Sequence, residues 1–62
     1  MITLVFVACL MGGGVCQRVD LIWPDSAITC VRHGQQRIAA WLDERPGWEL
    51  RGGYTCAAGE PA

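Results

Sequence analysis

The sequence has few charged residues, and it contains no lysine. Its 62 residues include five arginines and six acidic side chains, so the formal net charge is −1. A chain with this balance lacks the basic surface by which proteins bind nucleic acid or anionic membranes. Only 18% of the residues are charged and 52% are hydrophobic, which excludes intrinsic disorder, because disorder requires a polar and highly charged chain.

The sequence also lacks an apolar segment long enough to cross a membrane. The run over residues 2–11 is about half the length that a transmembrane helix needs. The small residues Gly12–Gly14 follow it, which resembles the outline of a secretory signal. No basic residue precedes the run, and cleavage near Gly14 would leave about 48 residues, a length that usually needs disulfides or metals. We interpret the run as a strand, with the signal peptide as the alternative.

The motifs of common catalytic and metal sites are absent as well. None of the four cysteines forms a C-x-x-C pair, and no lysine follows Gly12–Gly14 as it would in a phosphate-binding loop. Asp43 and Glu44 are neighbours on a predicted helix, so their carboxylates diverge. Ser26 is better explained as a helix cap than as a nucleophile. We expect a protein that is not an enzyme and has no cofactor, no metal and no small-molecule substrate.

Alternating side chains predict three strands, over Ile2–Cys9, Cys16–Trp23 and Trp48–Cys56. The first two fit an antiparallel hairpin in which Cys9 lies opposite Cys16 and Phe6 opposite Val19. A slip of one residue would destroy this match of apolar side chains. The same register predicts three further pairs, Leu4–Leu21, Ile2–Trp23 and Val7–Arg18.

A helix is predicted between the second and third strands. Asp25 or Ser26 can cap its start, and it runs to about Arg45 before Pro46 and Gly47 end it. At about 100° per residue, one apolar stripe of the helix faces the sheet. Gly34 lies on this stripe and predicts that the helix approaches the sheet closely. The stripe has Cys30 on its edge and contains Ala27, Val31, Gly34, Ile38, Trp41 and Leu42.

The order ββαβ predicts one small α+β domain over residues 1–56, followed by a flexible tail over 57–62. We expect a three-stranded antiparallel sheet with strand order 2-1-3, because this places the first strand between two antiparallel neighbours. The helix packs on one face of this sheet.

Four cysteines allow three pairings, and the predicted fold selects one of them. Cys9 and Cys16 share a face at the closed end of the hairpin. Cys30, in the second helical turn, and Cys56, at the end of the last strand, meet at the opposite end. We therefore predict the disulfides Cys9–Cys16 and Cys30–Cys56, which imply an oxidising environment such as the periplasm, the cell exterior or a virus particle.

Two alternatives to these disulfides remain open. The chain could be a cytosolic protein whose buried cysteines stay reduced. Cys30 and His33, three residues apart on the helix, could instead share a metal ion with Cys56, although a fourth ligand would have to come from elsewhere.

One helix can cover only one face of a three-stranded sheet, and the other face is predicted to carry apolar side chains. Exposed contiguous apolar surface usually marks an interaction site. Alternatively, arginine stems and Glu49 lie over the valines and make this face tolerable in water. The predicted partner-binding residues are Val5, Val7, Arg18, Ile22 and Arg51.

The stretch from Cys30 to Cys56 resembles a group of short cysteine-containing proteins of alphaproteobacteria and their bacteriophages. The proteins of this group also begin with an apolar strand and carry similarly placed cysteines, so the resemblance covers most of the chain, but it supplies no activity. It is carried by Gly34-Gln35, Ala39-Ala40-Trp41-Leu42, Pro46-Gly47-Trp48 and the closing Cys56.

These observations lead us to expect an accessory subunit of a larger assembly, for example a bacteriophage virion. It would dock on a partner protein or a second copy through the uncovered sheet face. A secreted or periplasmic binding module, inhibitor-like or effector-like, is the first alternative. A cytosolic metal or redox protein is the second.

Overall fold

The computed structural model describes residues 2–58. The elements are β1 (Ile2–Leu10), β2 (Cys16–Trp23), α1 (Ala27–Asp43) and β3 (Trp48–Ala58). The strands form an antiparallel sheet with the order β2-β1-β3, so the α+β class and the strand order predicted from the sequence are confirmed. Both β2 and β3 are edge strands.

The hairpin of β1 and β2 has the predicted register. Cys9 lies opposite Cys16 and Phe6 opposite Val19, and the other predicted pairs are also present. The connecting turn depends on its glycines, because Gly12 and Gly14 have φ angles of 77° and 69°, where side chains with a Cβ are strained. The regular register holds these two strands together over their whole length.

Helix α1 begins at a side-chain cap that is also attached to the sheet. Ser26 has an extended backbone, and its hydroxyl accepts a hydrogen bond from the Thr29 backbone N–H at 3.3 Å. The Thr29 hydroxyl accepts a second bond, at 3.0 Å, from the indole N–H of Trp23 at the end of β2. The helix ends at Asp43, two residues before the predicted end at Arg45.

The core lies between α1 and the inner face of the sheet. The ring of Trp41 packs edge-on against Phe6, with centroids 5.4 Å apart, and against Trp48 at 6.3 Å. Such aromatic pairs add to the energy of burial itself. The buried members of the core are Leu4, Phe6, Ala8, Val19, Cys30, Ile38 and Trp41.

The predicted helix stripe is wrong at its first turns. Ala27 and Val31 are exposed, whereas Cys30, predicted at the edge of the stripe, is completely buried. The disulfide from Cys30 to Cys56 explains the rotation, because it turns position 30 towards the sheet and position 31 towards solvent.

The glycine of the stripe makes the close approach that the sequence predicts. A Cβ added at Gly34 would lie only 2.7 Å from a ring carbon of Tyr54. The Tyr54 hydroxyl then reaches past the glycine and donates a hydrogen bond to the backbone carbonyl of Val31. This glycine therefore sets how closely the helix approaches β3.

Strand β3 contains an irregularity that the alternation did not predict. Phe6 pairs with Tyr54, but the next residue, Val7, pairs with Arg51, so Gly52 and Gly53 are extra residues on β3. Gly52 has a φ of 75°, a conformation that glycine adopts without strain. Because two residues are inserted, the inward and outward positions on either side of the bulge stay in phase.

The end of β3 also differs from the predicted boundary. The strand continues beyond Cys56, with Ala57 opposite Thr3 and Ala58 opposite Ile2. The first two residues of the predicted tail are therefore part of the sheet. The remainder of that tail, residues 59–62, lies outside the described residues.

Candidate interaction surface

All four cysteines are paired as predicted, in Cys9–Cys16 and Cys30–Cys56. These disulfides are consistent with an oxidising environment. In this state Cys30 and Cys56 offer no thiolate to a metal ion. No group of three metal-binding side chains occurs within residues 2–58.

Val7 marks the centre of the outer sheet face, which no helix within residues 2–58 covers. It pairs with Arg18 on one side and Arg51 on the other, and 38% of its surface is exposed. Each arginine is held by an acid of its own strand: Arg18 lies 2.9 Å from Asp20 and Arg51 lies 3.7 Å from Glu49. Val7 is thus flanked by charged side chains and remains partly exposed to solvent.

The other positions on the outer face include both buried and exposed residues. Thr3 and Cys9 are buried, and Val5 is half-buried. Ile22, near the end of edge strand β2, is 67% exposed. All five predicted partner-binding residues therefore lie on this face, and Val5 is the least accessible of them.

A groove of about 370 Å³ crosses the middle of this face. It passes beside the bulge of β3, where the bare backbone of Gly53 has open space above it. The bulge therefore leaves room for a side chain from another molecule. The groove is lined by Val5, Phe6 and Val7 from β1, by Arg18 from β2, and by Gly53, Thr55 and Ala57 from β3.

A second apolar surface lies on the first turns of α1, and sequence reasoning missed it. Ile28 and Val31 are 66% and 63% exposed, and they line a groove of about 260 Å³ together with Ala27 and Arg32. Hydropathy at the helical period places Ala27 and Val31 on the apolar stripe that faces the sheet. The disulfide at Cys30 was the signal that could have corrected the assignment, since it turns position 30 inward and its neighbours outward.

The other residues considered for chemistry have a structural role or lie on the surface. The Ser26 hydroxyl is occupied as the helix cap, and His33 is exposed on α1. Asp43 and Glu44 are exposed at the end of the helix, where Glu44 lies 3.5 Å from Arg45. Within residues 2–58 no helix is long and apolar enough to span a membrane.

Comparison with protein-family models, curated proteins and solved structures finds no match for the chain. The resemblance drawn from residues 30–56 stays a prediction. A function therefore has to be argued from the chain's own surface.

Proposed function

We propose that the protein is a non-enzymatic interaction module that docks on a partner protein through its outer sheet face. The observation that carries the proposal is the exposure of Val7 at the centre of a face that spans all three strands and that none of the described elements covers. An open apolar centre rimmed by polar groups is typical of protein interfaces.

The charges around Val7 define the chemistry of the partner. Arg18 and Arg51 flank the valine. Asp20 lies opposite Val5, and Glu49 lies opposite Cys9, so the two acids are on opposite sides of Val7 along β1. The complementary surface therefore presents an apolar side chain to Val7 and carboxylates to the arginines. The existing ion pairs are largely exposed, and exposed pairs contribute only about 0–1 kcal/mol, so exchanging them for a partner's carboxylates costs little.

The size of the molecule fits this mode of docking. A specific interface takes about 800 Å² from each partner, which is about a fifth of the 4205 Å² surface of this chain. One face of the protein is enough, and the buried inner face keeps the fold intact. The module would thus act as a small accessory subunit of a larger assembly.

The two disulfides support a location in an oxidising environment. A virus particle or an extracytoplasmic complex meets this condition, and the resemblance to bacteriophage proteins favours the former. In a small domain, disulfides also replace part of the stability that a limited core does not provide. The same covalent links would keep a subunit folded after export or release.

Two isoleucines of matched exposure provide the test. Ile22 lies on the outer sheet face and is 67% exposed. Ile28 lines the groove on the first turns of α1, here called the helix groove, and is 66% exposed. The tagged chain is purified from its source cells as wild type, Ile22→Lys and Ile28→Lys, and stoichiometric partners are measured by native mass spectrometry. We expect Ile22→Lys to lose the partner and Ile28→Lys to retain it.

Each other outcome counts against the proposal. Loss of the partner only in Ile28→Lys would move the docking site to the helix. A chain that is monomeric and without any stoichiometric partner would contradict the proposal, as would a dimer of the chain that neither variant disrupts. Retention of the partner by both variants would exclude the face around Ile22.

A further inference from the structure

We propose that the Cys9–Cys16 disulfide is a site of reversible thiol exchange, at which a small thiol becomes joined to Cys16. Each disulfide has one buried cysteine, Cys9 or Cys30, and the two bridges differ in access at the other end: Cys16 is exposed at the end of the hairpin, whereas Cys56 is half-buried. Exchange requires a thiolate to reach a sulfur atom, so its rate depends on this access. The inference does not depend on the proposed docking.

The strand order determines which sulfur an incoming thiolate can reach. Cys9 and Cys16 are directly opposite each other, so the bridge runs across the sheet from β1 to β2. A thiolate attacks a disulfide sulfur from the side opposite the sulfur that leaves. Attack on Cys16 therefore comes from the outer edge of β2, beside which the described part of the chain places no strand.

Attack on Cys9 is blocked on the other side of the bridge. The approach would come from β3, where Glu49 is the paired residue of Cys9. Cys9 itself is only 1% exposed, whereas Cys16 is exposed. Access therefore directs the reaction to Cys16.

The exchange step is balanced without another reactant. The thiolate forms a new S–S bond to the Cys16 sulfur, the Cys9–Cys16 bond breaks, and the electron pair leaves on Cys9 as a thiolate that takes a proton from water. The reverse attack by Cys9 releases the thiol and restores the bridge. A second thiol attacking the mixed disulfide completes the reduction.

The local backbone allows Cys9 to remain in place after the bridge opens. The Leu10 N–H donates to the Val15 carbonyl at 2.8 Å, which makes this pair hydrogen-bonded and the adjacent Cys9–Cys16 pair non-hydrogen-bonded. Opening the bridge therefore removes no ladder hydrogen bond. The two cysteines stay opposite each other, so closure is an intramolecular step.

The test uses reduced glutathione on the intact, oxidised protein. Samples are quenched with acid, alkylated and mapped by mass spectrometry over a range of glutathione concentrations. We expect a glutathione adduct on Cys16, an alkylated Cys9, and an intact Cys30–Cys56 bridge. The Cys9–Cys16 bridge should open at least about tenfold faster than Cys30–Cys56, because Cys30 is buried and Cys56 half-buried, so that a thiolate reaches this bridge mainly after local opening of the structure.

Two matched variants test whether solvent access to each cysteine determines the rate at which its thiol reacts. In Cys9→Ser the remaining thiol is Cys16, and in Cys16→Ser it is Cys9; with oxidised glutathione the first should form its adduct at least about tenfold faster. Earlier opening of Cys30–Cys56, an adduct mainly on Cys9, or equal rates for the two variants would overturn the proposal. A dithiol in place of glutathione should give the fully reduced Cys9 and Cys16 pair without an adduct.

Discussion

The two faces of the sheet differ both in what covers them and in how each holds its disulfide. On the inner face Leu4 and Phe6 are buried under the helix, and the bridge begins at the fully buried Cys30. On the outer face Val7 is partly open between charged side chains, and the bridge ends at the exposed Cys16. Stability is thus concentrated on one face, which leaves the other available for binding and exchange.

The largest difference between the faces should follow removal of a core aromatic ring. Phe6→Ala removes the contact with Trp41 and should cost about 3–5 kcal/mol, an amount comparable with the total stability of a small domain. We expect loss of the cooperative transition in thermal unfolding followed by circular dichroism. The milder Ile38→Val should retain the fold at a cost of about 0.5–1.5 kcal/mol. A Phe6→Ala variant that melts like the wild type would contradict the assignment of the core.

The two bridges should contribute unequally to stability. Loop-entropy estimates give about 2 kcal/mol for Cys9–Cys16 and about 3–4 kcal/mol for Cys30–Cys56, because the second closes a longer loop. Denaturant titration of Cys9→Ala/Cys16→Ala and Cys30→Ala/Cys56→Ala measures the two losses. A greater loss of unfolding free energy in Cys9→Ala/Cys16→Ala would mean that the bridge on the outer face, and not the one on the inner face, contributes more to the stability of the fold.

Replacing a glycine with alanine should change the free energy of unfolding by different amounts on the two faces of the sheet. Gly34→Ala places a Cβ against the Tyr54 ring and should cost about 1–3 kcal/mol, as overpacking does. Gly53→Ala, at the bulge on the open side, meets nothing within 4 Å and should change the free energy of unfolding by no more than about 0.5 kcal/mol. Equal effects of the two substitutions would rule out the close approach of α1 to β3.

The smallest effect on stability is expected at the centre of the outer face. Val7→Thr keeps a β-branched side chain in β1 and should cost less than about 1 kcal/mol, yet it places a hydroxyl where the proposed partner presents an apolar group. Isothermal calorimetry with the purified partner should show weaker binding. An unchanged affinity combined with a large loss of stability would make Val7 a core residue and not a contact.

The hairpin could be predicted from the sequence because Ile2, Leu4 and Phe6 of β1 all meet large apolar residues of β2 in one register, which a slip of one residue would destroy. The bulge could not, because inserting both Gly52 and Gly53 keeps the alternation in phase and leaves no mark on the pattern. The rotation of α1 was missed because hydropathy ranks Val31 above Cys30, whereas the disulfide decides which of them faces the sheet.

The candidate site was predictable to a similar extent. The outer face and its residues follow from strand alternation, so Val7 and its neighbouring arginines were identified correctly as sharing one surface. The helix groove at Ile28 depends on the rotation of α1 and was therefore missed. The identity of a partner lies beyond any single sequence, since complementarity is a property of two surfaces.

Hydroxyl-radical footprinting of the free chain and of its native assembly tests the proposed docking most directly. The account predicts that oxidation of Val5, Val7 and Ile22 falls on assembly, while Ile28 and Val31 keep the rate they have in the free chain. Protection of the helix residues with an unchanged outer sheet face would contradict it.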